Sequence, residues 1–392
     1  MNPKVIIITL NWNGWHDTIE CLESLNQIDY EDYEVILVDN ASSDESLARI
    51  DAYCASERKF ESHSAQYVVR GKPITVAPYS EMSTQTREDR EREGAHIPSE
   101  NALTLIKNDR NYGFAEGNNI AVAYALNVLD LDYVLLLNND TVVDRRFLNE
   151  LVNSAEQDAQ IGVIQPKMLY YKDSIVDNTG IMTDTFTATA RRGSYEKDEG
   201  QYDNHRKKGF FYASGACVLV KKSLLLALSG ECFDPYLFAY GEDLDLSWMA
   251  RLMGFSIVYC PESVCYHKVG ATFGSGRKNP YVAYLSGRNR LRIMIKNYSL
   301  LTLVFVLPLF IALSSFMSLA NCILYSDLSY LSGFVRGLLW NVANLNSALV
   351  RRRSIQVQRT LCDKEIMNHM ASYSLQIRAV LERLGKRKAN KL

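Results

Sequence analysis

An α/β fold with a largely parallel sheet is predicted by three observations. First, apolar runs rich in Val, Ile and Leu recur at residues 5–10, 34–38, 103–107 and 133–137, each of strand length. Second, amphipathic stretches follow them, as where Ile19, Leu22 and Leu25 stand at helical spacing. Third, each run stops at a polar cluster, of which Asn138-Asn139-Asp140-Thr141 is the most telling. Successive strand, loop and helix units imply parallel strands, because a crossover is needed to return the chain in the same direction. Ligands of open α/β sheets bind at the carboxyl ends of the strands, so Asp140 offers a carboxylate where a metal or nucleotide is held. An Asn-Asp surface turn is the alternative reading of that residue taken alone.

In chain order, the loop Asn11-Trp12-Asn13-Gly14 leads from the first strand into a helix over 17–25. The second strand ends at Asp39, and Ser and Asp residues then cap a helix over 45–54. From 55 to about 101 the pattern dissolves into Arg, Glu, Ser and Thr, including the charge run 87–93, which reads as a solvated insertion. After the third run, Gly113 and Gly117 suit a tight loop near a ligand, and Asn118 is placed to cap a helix over 118–129. The spacing is not Gly-x-Gly-x-x-Gly, so a dinucleotide fingerprint is absent. Beyond Asp140 the pattern predicts a helix over 147–155, irregular β structure to Val220, and a helix over 243–253 whose start carries Glu242, Asp243 and Asp245.

The net charge of −2 argues against a dedicated nucleic-acid binder, which needs Lys and Arg gathered on one face. Eight cysteines are scattered without paired spacing, which points to reduced, structural thiols, Cys260 and Cys265 among them. Residues 4–10 read as a buried strand rather than a signal peptide, so the amino-terminal part is expected in the cytosol. Between Lys296 and Asp327 there is no charge, and 300–325 is long enough to cross a hydrocarbon layer of about 30 Å. Arg288, Arg290, Arg292 and Lys296 precede it, and Arg336 with Arg351 to Arg353 follow, so a single crossing would strand one basic cluster on the wrong side. A hairpin or an interfacial helix is therefore expected, with Pro308 as a kink, 331–350 lying in the interface and the basic tail 351–392 meeting anionic lipid; a buried core helix is the alternative. The expected organisation is a main domain over 1–297, membrane-associated helices over 298–350 and the tail.

The ordered motifs Thr9-Leu10-Asn11-Trp12-Asn13, 38–44 (VDNASSD), 111–119 (NYGFAEGNN), 137–141 (LNNDT), 214–217 (SGAC), Phe233-Asp234, 242–248 (EDLDLSW) and Tyr266-His267 together resemble the family-two inverting glycosyltransferases, in particular bacterial rhamnosyltransferase-like members. The resemblance covers roughly 4–296, apart from the insertion, and implies a GT-A, Rossmann-like mixed and mostly parallel sheet. Two positions depart from the family pattern: Asn139 replaces a Pro, and Met249 replaces an Arg whose part Arg251 would take.

What the resemblance implies is specific. Asp140 and His267 would hold a divalent cation, Mn²⁺ or Mg²⁺, that neutralises a leaving diphosphate. Asp243 would act as general base on an acceptor hydroxyl, with Glu242, Asp245 and Trp248 on the acceptor side and inversion at the anomeric carbon. Thr9, Asn11 and Asp39 would recognise a pyrimidine, and Asn111, Gly113, Phe114 and Asn118 would line the ribose and diphosphate, with Asn138 and Asn139 nearby. Arg288 is a diphosphate candidate, a solvated helix face being equally open, and 270–278 is a candidate lid. The implied partners are a nucleoside-diphosphate sugar and a polyprenyl-diphosphate-linked glycan at the cytoplasmic membrane face, as in O-antigen and other surface polysaccharide synthesis. The donor implied is dTDP-L-rhamnose, with UDP-linked galactofuranose, glucose, GlcNAc or galactose as the alternative. Two rivals are a nucleotidyltransferase, which lacks its Gly-rich loop here, and a membrane scaffold that binds nucleotide sugar without turnover.

Overall fold

The four apolar runs lie side by side because each is hydrophobic on both faces over most of its length, as strands covered on both faces require. The computed structural model describes residues 2–55, strands at 59–61, 66–68 and 74–78, and residues 103–171, 173–269 and 279–378. The amino-terminal half runs β1 (Val5–Asn11), α1 (Trp15–Leu25), β2 (Tyr33–Asp39), α2 (Ser46–Cys54), the pair β3 (Lys59–Glu61) and β4 (Gln66–Val68), β5 (Ile74–Pro78), β6 (Leu103–Lys107), α3 (Gly113–Val128), β7 (Tyr133–Asn138), β8 (Thr141–Val143) and α4 (Phe147–Ala155). Then follow β9 (Ile161–Tyr170), β10 (Val176–Asn178), the pair β11 (Ile181–Thr183) and β12 (Thr189–Arg191), β13 (Cys217–Lys221), α5 (Lys222–Ala227), a 3₁₀ turn (Pro235–Leu237), α6 (Glu242–Leu252) and β14 (Ser256–His267). The main sheet is ordered β5-β6-β2-β1-β7-β13-β9-β14-β8, with β10 on β9.

Register does the positioning. β1 lies parallel between β2 and β7, aligning Asn11 with Asp39 and Leu10 with Asn138, so the polar strand ends meet at one edge. β13 runs antiparallel between β7 and β9, while β14 is parallel to β9 and antiparallel to β8, setting His267 opposite Thr141. Val5, Ile7, Leu135 and Leu137 pack under α1 and α4, and Ile6, Ile8, Val134 and Leu136 pack under α3. The fold is the mixed, mostly parallel α/β architecture expected.

Two local expectations are corrected. The stretch 55–101 is not wholly a polar excursion, because β5 pairs parallel with β6 and extends the sheet; its charge run 87–93 lies outside the described residues. Helix α3 begins at Gly113, not near Asn118, which lies inside the helix and donates its side-chain amide to the Phe114 carbonyl at 2.8 Å. Gly113 is required there: its φ is +78°, and a Cβ would lie 2.4 Å from Phe238 Cδ2.

Five helices follow: α7 (Pro280–Asn297), α8 (Leu300–Tyr325), α9 (Ser329–Ala343), α10 (Leu345–Gln358) and α11 (Asp363–Met367). Among the described residues α8 alone is long and apolar enough to cross a membrane, and it contains Pro308. The expected single helix over 331–350 is divided at Asn344. The basic run before α8 faces inward, which corrects its reading as a flank of the membrane segment. Arg292 and Lys296 are fully buried, each 2.7 Å from Asp234, and Lys296 also binds Asp245, whose other oxygen accepts from Asn297 at 2.9 Å. Arg290 donates to the Phe186 carbonyl and to Thr187. Although burial opposes ionisation, Lys296 and Arg292 hold the Asp234 carboxyl far below the ordinary carboxylate range. Most of the tail beyond α11, including 386–388, lies outside the described residues. Replacing one member of a buried ion cluster leaves the others uncompensated, so Lys296→Met is expected to lower stability by about 3–5 kcal/mol, read as a shift in urea midpoint, and an unchanged midpoint would contradict the cluster.

Candidate active site

The carboxyl ends of β1, β2 and β7, the loop before α6 and the end of β14 enclose a cleft of about 650 Å³. Asp140, His267, Glu242 and Asp243 all line it, although 127 positions separate the first two. The pairing of β8 with β14 brings them together, reinforced where the Lys268 amide donates to the Asp140 carbonyl at 3.0 Å.

Asp140 Oδ1 lies 3.4 Å from His267 Nε2, near enough for an ion pair, yet it is buried and makes no hydrogen bond. His267 Nδ1 lies 3.1 Å from Oδ2 of buried Asp177, which is also paired with Arg191. Burial lowers the basicity of the imidazole, but the two carboxylates outweigh it and push its pKa up to about 10. Two carboxylates thus face the imidazole, Asp140 at Nε2 and Asp177 at Nδ1. A carboxylate oxygen without a partner beside an imidazole held from behind by a second carboxylate fits a hard to borderline divalent ion. No group of three or more His, Cys, Asp or Glu arranged around one metal position occurs among the described residues, so Asp140 and His267 would supply two protein ligands and a bound substrate the remaining oxygens.

Across the cleft, α6 starts after Phe238, Tyr240 and Gly241, all with positive φ, a sharp turn that presents the helix start to the cavity. Asp243 accepts from the Leu244 amide at 2.8 Å and the Gly215 amide at 3.3 Å. Burial raises its pKa to about 6 against the lowering effect of those bonds. Burial, then the neighbouring Asp243 charge, raises Glu242 well above the carboxylate range, and its Oε2 is buried without a hydrogen bond. The pair is thus set to hold one proton near neutrality.

Of the other residues singled out by sequence, Asn111, Gly113, Phe114, Asn138 and Asn139 line the cleft. Thr9, Asn11, Asp39 and Asn118 do not. Asn11 donates to Asp39 at 2.8 Å, while Asp39 accepts from both the amide and hydroxyl of Ser42, so this group stiffens the strand ends behind the cavity wall. Asp245 points into the ion cluster, and Trp248 is wholly buried, with Phe211 and Tyr298 edge-on to it at centroid distances of 5.7 and 4.7 Å. Arg288 is buried as well, donating to the carbonyls of Tyr236 and Leu237, and so lies away from the place expected for a diphosphate. The candidate lid 270–278 lies outside the described residues.

Some lining residues had been given no role from sequence: Trp12, Asn13, Asp17, Asn40 and Tyr240. Asn40 pins the wall, its amide donating to Asn111 Oδ1 and the Gly113 carbonyl while its oxygen accepts from the Tyr112 amide. Its place directly after Asp39 at a strand end was the available signal.

A family model described as glycosyltransferase like family 2 matches residues 69–281, and one for glycosyl transferase family 2 matches 4–72. The low-salt glycan biosynthesis hexosyltransferase Agl10 of Haloferax volcanii is 24% identical over 194 residues, 49% of this chain and 60% of its own length, so the match leaves a good part of that relative uncovered. The crystal structure of GalNAc-T7 with UDP, GalNAc and Mn²⁺ superposes with a TM-score of 0.53 at 15% identity, over 88% of this chain and 58% of that one. The first family match spans more than half of the sequence, and the chain belongs to glycosyltransferase family 2, with the GT-A type of fold.

Proposed function

We propose that this protein is a metal-dependent inverting glycosyltransferase that moves a sugar from a nucleoside diphosphate onto a lipid-linked glycan at the cytoplasmic face of a membrane. The observation that carries the reading is the meeting of Asp140, His267 and Asp243 in one cleft. Asp140 and His267 would hold a divalent cation, Mn²⁺ or Mg²⁺, which would supply positive charge to the leaving diphosphate. Asp243 takes the proton of the acceptor hydroxyl as that oxygen bonds to the anomeric carbon and the bond to the diphosphate breaks. A single displacement with no covalent enzyme intermediate inverts the anomeric centre. Burial raises the Glu242 pKa to about 8, so this carboxyl, whose Oε2 has no partner of its own, can offer a hydrogen bond to a bound acceptor from the same helix start.

The motif resemblance favours L-rhamnose carried on dTDP. A UDP-linked hexose is the second reading, supported by the hexosyltransferase relative and by the UDP in the GalNAc-T7 structure. The lipid-linked acceptor is supported by α8, where Leu301, Phe305, Phe316 and Ile323 are each about two-thirds or more exposed, and by the relative's part in glycan biosynthesis.

Membranes carrying the protein, supplied with labelled dTDP- and UDP-sugars, are expected to form labelled glycolipid, and EDTA to abolish it until Mn²⁺ or Mg²⁺ is restored; EDTA-resistant transfer would remove the metal from the reading. Asp243→Asn is expected to lower kcat by roughly 10²–10⁴-fold while nucleotide binding persists, whereas equal product yield from both proteins would indicate a scaffold. The base works only when ionised and burial raises its pKa, so kcat should fall as pH drops through about 6. A rate that stays level well below pH 6 would contradict that role.

A further inference from the structure

Asn289 on α7 is fully buried, and its side-chain amide nitrogen lies within hydrogen-bond distance of three carbonyls of one loop, those of Leu237 at 2.8 Å, Ala239 at 2.9 Å and Tyr240 at 2.7 Å. Its oxygen accepts from Arg288 Nε at 2.9 Å, and Arg288 in turn donates to the carbonyls of Tyr236 and Leu237. The loop they grip is strained, with φ of +64° at Phe238 and +71° at Tyr240. Such residues persist only where the surroundings over-determine them. Phe238, Ala239 and Tyr240 all line the cleft, and the loop ends at Gly241, three positions before which Phe238 also anchors α3 by accepting from the Ala115 amide at 3.0 Å. The start of α6, hence the direction of Asp243, is set by this loop.

We infer that Asn289 is a positioning residue for the transfer reaction: it holds the 237–241 loop in its strained form and thereby aims Asp243 into the cleft. The inference rests on Asp243 acting as the base. The geometry goes further, because α7 is also the helix on which α9 packs. The Asn341 amide donates to the Arg288 carbonyl at 2.9 Å, the Arg288 guanidinium stands 4.2 Å from the Trp340 ring centre, and Gly337 admits the α7 backbone closely. The helix α9 is thereby packed against α7, the helix that grips the loop before α6.

Hydrogen exchange and kinetics on the full-length protein test this together, with Asn289→Ala and Asn289→Asp as variants. Amides over 237–243 are expected to exchange about tenfold faster in both, with the strands β1, β2 and β7 unchanged, because local opening replaces a held loop. The kcat is expected to fall about 10²-fold while nucleotide affinity stays within about twofold, as a misdirected base predicts. Unchanged exchange in the loop, or exchange raised evenly across the sheet, would overturn the inference, as would a wild-type kcat in both variants. If the wild-type protein transfers no sugar, the base assignment fails instead, and loop exchange alone decides whether Asn289 holds the loop.

Discussion

The site depends on the antiparallel pairing of β8 with β14. That pairing puts His267 opposite Thr141 and so sets its Nε2 3.4 Å from Asp140 Oδ1. A slip of one residue would turn His267 to the other face of the sheet, because strand side chains alternate. The register is locked from both sides: β14 is also bonded to β9, and Asp177 beside β9 holds the far nitrogen of the imidazole. The three-residue strand β8 and the end of β14 thus do what no local motif could, joining residues remote in sequence around one position suited to a cation.

The second half of the site rests on a different kind of support. Asp243 sits at a helix start reached through three residues with positive φ, and that turn is gripped from α7. Two positions further on, Asp245 points about half a helical turn away and closes the buried cluster with Lys296 and Asp234. One helix therefore carries a carboxylate facing the cleft and another fixing the helix to the carboxyl-terminal bundle. The apolar helix α8 and the candidate base belong to one connected framework through α7.

The sheet was legible in the sequence because its strands are buried on both faces and read as unbroken apolar runs ending in polar clusters. Asp140, Asp243 and His267 were legible through their motif contexts, and the structure gathers them. The basic run 288–296 was misleading, since its partners Asp234 and Asp245 lie some fifty residues upstream and no local pattern reveals that they neutralise it. Asp39 and Asn11 were legible as strand-end polar residues but not as each other's partners, because adjacent registers of β1 and β2 are a tertiary fact. Asn40 and Asn289 act by bonding backbone carbonyls and amides, a role that leaves no periodicity to read.

The proposed transfer depends on Asp140 and His267 sharing one divalent cation opposite Asp243. Anomalous diffraction from crystals grown with Mn²⁺ and a nucleoside diphosphate tests it most directly. A manganese peak is expected within coordinating distance of both Asp140 and His267, with the diphosphate bound to it and Asp243 across the cleft. A manganese site elsewhere, with Asp140 Oδ1 still facing His267 Nε2 and no metal between them, would show that these two side chains hold no cation.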